Sequence, residues 1–259
     1  MMLETTLTKL NQLKLYGMVE GVNEQAQSTL HSGLSFEERL ALLVDREVTV
    51  RDNRRLTNLL RGARLRYASA CLEEIDFRTP RGLSKEMILS LMQNTWVTGK
   101  QNVIVTGPTG SGKTFIACAL ANSACRSGHS AHYLRLPRLL QELHIARADG
   151  SYGKFLTRLA KYAVLVIDDW GLGKLGDKER RDVLEVLEDR HGITSTVIAS
   201  QVPMDKWHDT IGDPTIADAV LDRLIHNAHK IAMKGESMRK LMSKTKGTGH
   251  PETTTATGR

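Results

Sequence analysis

The chain has 259 residues, 41% hydrophobic and 25% charged, enough to bury a core in one large domain or two smaller ones. Lys and Arg outnumber Asp and Glu by 36 to 29, for a net charge of +7; this reads either as a polyanionic partner or as a generally basic surface. Three scattered cysteines exclude a disulfide framework and a zinc site, no apolar run approaches membrane-spanning length, and Met1–Thr6 lacks signal-peptide features, so a cytoplasmic location with no membrane partner is expected.

From the N-terminus, Leu3, Leu7, Leu10, Leu13 and Met18 recur at helical spacing and predict one amphipathic helix. Ser35 and Glu38 form a capping box that opens a second helix, with Phe36, Leu40, Leu43, Val44 and Val48 expected to face inward. An arginine-dense stretch comes next, with Arg46, Arg51, Arg54, Arg55, Arg61, Arg64 and Arg66 against only Glu47 and Asp52 as acids. Leu56, Leu59, Leu60, Ala63 and Tyr67 supply its buried stripe, so the arginines occupy the remaining faces. They read either as a solvated helix surface or as contacts to a phosphate backbone, independent of base sequence.

Thr79-Pro80-Arg81-Gly82 breaks the helical pattern, and a domain boundary is expected between Ile75 and Ser84. This divides the chain into a helical N-terminal domain over 1–80, an α/β domain over 81–244 and a Gly/Thr/Lys/Pro-dominated tail over 245–259, expected to be disordered. In the α/β domain Ser84–Met92 reads as a short helix. Strands are expected at Asn102–Thr106, Ala131–Leu134, Ala163–Ile167 and Thr196–Ser200, with a short strand-like run at His229–Met233. Helices are expected after the first strand, over Pro137–Arg147, Phe155–Lys161 and Asp177–Arg190, and after Asp213-Pro214-Thr215 as far as Asn227. Val183, Leu184 and Leu187 would be the buried stripe of Asp177–Arg190. Continuous apolar strands alternating with helices imply a parallel sheet covered on both faces, with ligands at the strand C-terminal ends.

Gly107-Pro108-Thr109-Gly110-Ser111-Gly112-Lys113-Thr114 has the spacing of a phosphate-binding loop, between a β-branched run and an alanine-rich helix. Its glycines let successive N–H groups turn inward, and the helix dipole adds positive charge. Lys113 is suited to the β- and γ-phosphates of ATP, and the Thr114 hydroxyl to Mg2+. About 55 residues after Lys113, Val164-Leu165-Val166-Ile167 ends in Asp168-Asp169, a Walker B strand in form. Asp168 would hold Mg2+ through water beside Thr114, and Asp169 would polarise the attacking water. Ser200-Gln201 comes after the next strand, where either side chain can sense the γ-phosphate. Arg223 ends a later helix and Arg239 opens a last one; spacing alone assigns neither.

Taken together, Gly107–Thr114, Asp168-Asp169, Ser200-Gln201, Asp222-Arg223-Leu224 and Gly235-x-Ser-x-Arg239 resemble the IstB-type ATPases. These are transposition helpers of bacterial insertion sequences, close to the DnaC-type helicase loaders within the AAA+ superfamily. The likeness extends to Leu15-Tyr16-Gly17-Met18, Arg51–Leu65 and Glu73–Phe77, so it spans nearly all of the chain except the tail, and this N-terminal share favours IstB over a loader. The resemblance implies a small helical domain before a P-loop AAA+ core, with ATP driving self-assembly on double-stranded DNA and stimulating a cognate transposase. It makes Arg223 an arginine finger acting in trans, Gln201 with Ser200 the first sensor and Arg239 the second. It also makes Leu136–Lys161 an insertion lining the DNA path, where Arg138, Arg147, Lys154 and Arg158 are either phosphate contacts or solvated cations; on the earlier stretch the residues themselves offer Arg51, Arg54, Arg55, Arg61 and Arg64. Asp169 stands where glutamate is commoner, one methylene shorter, and predicts slow hydrolysis. A helicase loader, a small-molecule kinase and a DNA-binding protein using ATP only as structural glue are the competing expectations.

Overall fold

The computed structural model describes residues 2–28, 31, 33–235 and 237–238; Arg239 and the expected tail at 245–259 lie outside the described residues. The chain divides into two compact units, one ending at Arg61 and the other starting at Gly62.

The first unit is helical. The single helix expected through Met18 is instead two, α1 (Met2–Gln12) and α2 (Tyr16–Gln27). Lys14 between them takes a left-handed φ of 59°, which ends a right-handed helix. A third helix, α3 (Phe36–Ala63), opens with the expected capping box: Glu38 N–H donates to Ser35 Oγ at 3.2 Å and Ser35 N–H to Glu38 Oε2 at 2.7 Å. The inward face does not follow the apolar stripe. Phe36, Leu40, Val44 and Val48 are exposed, Phe36 to 66%, while buried Gly17 and Gly21 of α2 meet Leu43, Arg46 and Glu47 of α3. Periodicity tells which residues share a face, but not which face another helix covers. Glu47 is buried; desolvation opposes its charge, but hydrogen bonds from Arg51 and from the Met18 and Gly17 backbone hold its carboxyl below the usual range.

In the second unit, residues 62–80, expected in the helical domain, pack on the α/β elements. Asn122 Nδ2 donates to Ala68 O at 3.1 Å, Arg126 pairs with Glu73 at 2.7 Å, and the Tyr67 and Phe115 rings lie 6.3 Å apart. The division therefore falls before the composition break, because the Thr79–Gly82 turn interrupts helix but not packing. Ser84 caps α4 (Lys85–Met92), and α5 (Thr95–Thr98) leads into β1 (Asn102–Thr106). Next come α6 (Lys113–Arg126), β2 (Ala131–Arg135), α7 (Leu136–Ala148), α8 (Tyr152–Lys161), β3 (Val164–Trp170), α9 (Asp177–Glu188) and β4 (Ser195–Ser200). The described chain continues through α10 (Trp207–Ile211) and α11 (Pro214–Ile225) to β5 (Ala228–Ala232).

All pairings are parallel, in the order β2-β3-β4-β1-β5. Strands β1 and β4 are buried throughout, as their uninterrupted apolar runs require. On α9 the buried set is Asp182, Val183, Val186 and Leu187, with Leu184 only partly covered. Asp182 is tolerated inside because Arg147 Nε donates to it at 2.9 Å and the Tyr152 hydroxyl at 2.9 Å. Just after α9, Arg190 is 1% exposed and hydrogen-bonds the carbonyls of Leu159, Tyr162 and Ser195 and the Thr196 hydroxyl. Burial pulls its pKa down to about 9.

Candidate nucleotide-binding site

The strand order sets the site. β4 lies between β1 and β3, so the loop after β1, the acids ending β3 and the residue after β4 share one sheet edge. Thr106 is opposite Ser200 in the register, and Trp170 is opposite Ser200 from the other side. These three segments wall a cleft of about 340 Å3 with Thr109, Gly110, Lys113, Thr114, Asp168, Asp169 and Gln201 in its lining.

The loop has the backbone its motif requires. Gly110 and Gly112 take φ of 82° and 104°, where an L side chain is strained. A Cβ on Gly110 would also lie 2.1 Å from Ser237 Oγ, and the Met238 N–H donates to Gly110 O at 2.9 Å, so Ser237 and Met238 lie against the loop. Lys113 begins α6, and its ammonium donates to Pro108 O at 2.8 Å. Thr114 Oγ1 donates to Asp168 Oδ2 at 2.8 Å, which brings together the two groups expected to share Mg2+. The Tyr133 hydroxyl of β2 donates to the same oxygen at 2.8 Å, and the Asp169 N–H donates to Oδ1 at 2.9 Å.

Asp169 has a left-handed φ of 58°, at the point where the β3–β4 register shifts between Ile167 and Trp170. Burial and the charge of Asp168 push its carboxyl above the ordinary range, while Arg135, Arg66 and Lys113 pull it back. A carboxylate raised in this way is a better proton acceptor than an exposed one. Gln201 accepts a hydrogen bond from Thr109 Oγ1 and lines the cleft. Ser200, grouped with it from the sequence, is fully buried, donates to Trp170 O at 2.7 Å and accepts from Val202 N–H at 3.0 Å. Its hydroxyl braces the sheet edge and is not in the cleft lining.

Arg223 is outside the cleft lining. It lies in the last turn of α11, pairs with Glu188 of α9 and donates to Ala219 O at 2.9 Å. The pairing raises the Arg223 pKa and lowers that of Glu188. Arg239 is outside the described residues. Among the cations expected on DNA, Arg51 pairs with Glu47, Arg138 with Glu142 and Arg147 with Asp182. Arg54 lies over the Tyr16 ring and Arg158 over Phe155. Arg55, Arg61, Arg64 and Lys154 are exposed, Arg64 just past the end of α3 with a φ of 50°.

The cleft also contains residues that the sequence does not single out for it. Arg81 is buried, donating to Ser111 O at 3.2 Å and Asp76 O at 2.5 Å, and thereby buttresses the loop. Arg66 and Tyr67 line the cleft with Ile75 and Asp76. Proximity of Pro80 and Gly82 marks only a turn at Arg81, and nothing in the spacing separates Arg66 from the arginines of α3.

The IstB-like ATP binding protein family model matches residues 8–246. The chain belongs to this IstB-like family. It is 44% identical over 240 residues to the insertion sequence ATP-binding protein y4pL of Sinorhizobium fredii, covering 93% of this chain and 98% of the relative. It is 50% identical over 203 residues to an ATP-binding protein of insertion sequence IS1162 from Pseudomonas fluorescens, covering 78% and 88%. The crystal structure of the DnaC helicase loader superposes with a TM-score of 0.54 at 20% identity, covering 65% of this chain and 99% of that one. The expected P-loop AAA+ fold, a helix-flanked parallel sheet after a helical N-terminal region, is therefore the fold of this IstB-like chain.

Proposed function

We propose that the protein is a Mg2+-dependent ATPase that self-assembles on double-stranded DNA when ATP is bound and presents that DNA to a partner transposase in the cytoplasm. The observation that carries the reading is the 2.8 Å Thr114–Asp168 hydrogen bond beside the glycine-rich loop, in a chain similar to insertion-sequence ATP-binding proteins. A hydroxyl and a carboxylate in contact fit Mg2+, which takes one or two protein oxygens and completes its shell with phosphate and water. Bound there, the ion would neutralise charge on the β- and γ-phosphates. Lys113 holds the same phosphates, Asp169 accepts the proton of the attacking water, and Gln201 fixes that water from the neighbouring strand. Arg223, on an outer helix, leaves Glu188 for the γ-phosphate of an adjacent copy. The planar guanidinium suits the charge developing there. The exposed cations of α3 and of α7–α8 contact the DNA backbone.

Electron microscopy with duplex DNA tests the reading, comparing ATP, ADP and no nucleotide. Assemblies on DNA are expected with ATP only, abolished by Lys113→Ala. Asp169→Ala should keep the assembly while turnover falls about 100-fold or more. A small-molecule kinase would show neither DNA-stimulated nor concentration-dependent ATP turnover. A protein using ATP as glue would assemble without measurable hydrolysis. The DnaC-like fold supports a second reading, a replicative helicase loader. Stimulation of a helicase rather than of a transposase would favour it.

A further inference from the structure

Arg66 stands apart from the other arginines of its stretch. Helix α3 ends at Ala63, Arg64 turns left-handed, and the chain delivers Arg66 into the lining of the nucleotide cleft. There its guanidinium lies over the ring of its neighbour Tyr67, 5.9 Å from the ring centre, and is near enough to the Tyr133 hydroxyl for the two to act on each other electrostatically. Tyr133 donates to Asp168 Oδ2, the oxygen that also accepts from Thr114. Arg66 and Asp168 therefore line one cleft, with Tyr133 braced on the acid expected beside the terminal phosphates. The charge of Arg66 acts on both Asp168 and Asp169, with Lys113 on the same cleft.

We propose that Arg66 is a triphosphate-sensing residue acting within its own chain, its guanidinium set beside Tyr133 so that it contacts the terminal phosphate of a nucleoside triphosphate. The proposal deepens the nucleotide-site reading above and rests on it. The charges of the cleft support it. Four carboxylates line it, Glu74, Asp76, Asp168 and Asp169, against three cations, Arg66, Arg81 and Lys113, so a cleft meant for an anion depends on Arg66 for a third of its positive charge. The guanidinium is also suited geometrically, because its planar set of donors can hold the phenol oxygen with one edge and phosphate oxygens with another. Lys113 serves both di- and triphosphates through the loop. Arg66, at the carboxylate end, distinguishes the one from the other.

The test measures equilibrium binding of a non-hydrolysable ATP analogue and of ADP, each with Mg2+, to the full chain and to Arg66→Ala, Arg66→Lys, Tyr133→Phe and Lys113→Ala. Arg66→Ala should weaken the triphosphate analogue by about tenfold or more, the loss of one charge-assisted contact, and leave ADP within about twofold. Tyr133→Phe, which keeps the ring and removes the hydroxyl, and Arg66→Lys, which keeps the charge, should each lose part of that preference. Lys113→Ala should weaken both nucleotides. Equal losses of both nucleotides in Arg66→Ala, or no loss of either, would overturn the role of Arg66 while leaving the phosphate loop intact. Failure of the unaltered chain to bind either nucleotide would overturn the site itself.

Discussion

Cys118 and Cys125 are buried on α6, and burial pushes the Cys125 thiol up to about 11. Cys71 is only partly covered. At pH 8 an alkylating reagent should therefore modify Cys71 first, and reach the other two only in denaturant; mass spectrometry of the labelled chain reads this directly. The folded state keeps the Cys125 proton at pH values where the unfolded chain, near 8.5, has lost it. The unfolded state then binds fewer protons, so this thiol's contribution to stability is fully present below about 8.5 and falls as pH rises toward 11. Ser200 and Gln201, paired from the sequence as one sensor, separate for an equally local reason. They are neighbours at a strand end, and alternation sends one side chain into the sheet edge and the other into the cleft.

Among the elements, α2 and α3 are held by close backbone approach and not by a leucine seam. A Cβ on Gly17 would lie 2.6 Å from Glu47 Cα and 2.8 Å from Arg46 O, backbone atoms that cannot move aside without the helix. Gly17→Ala is expected to cost the first unit about 1–3 kcal/mol, the usual penalty of overpacking. Limited proteolysis should show cleavage rising within residues 2–61, while nucleotide binding by the second unit stays unchanged. A Gly17→Ala protein whose first unit resists protease as well as the parent would refute this packing. The exposed stripe of Phe36, Leu40, Val44 and Val48 has a local pattern that is legible in the sequence, but coverage depends on partners far along the chain. Arg190 makes the same point from inside: it closes a charged helix in the sequence, yet four oxygen atoms from two separate segments converge on it.

For the whole molecule, the proposed assembly makes each ATP site depend on two copies. Arg223→Ala should bind nucleotide normally in its own cleft and lose about 1000-fold in DNA-stimulated turnover, the low end of what a finger arginine supplies. Lys113→Ala supplies an intact Arg223 but no usable loop. Mixing the two inactive proteins should restore measurable turnover at the shared interface. No recovery on mixing, with assembly confirmed, would place the effect of Arg223 within its own chain, through Glu188. DNA affinity should fall steeply with salt, and less so after loss of Arg54 or Arg158, whose ring-stacked guanidinium groups keep their N–H edges for phosphate.

Local signals settled much of the α/β unit in advance. Gly110, Gly112 and Lys113 are read from spacing because only those residue types give an amide-lined turn with a cation. Val164–Ile167 before Asp168 is read from an apolar run that only a buried strand explains. The resemblance carried by those motifs is to the same family whose model matches residues 8–246. Tertiary structure alone decided that β4 lies between β1 and β3, that residues 62–80 belong with the α/β unit, and that Arg66 and Arg81 join the cleft. The physical reason is range. Backbone conformation and facial periodicity are set by neighbours a few residues apart, whereas strand order, coverage of a face and the destination of a surface arginine depend on groups brought together only by folding.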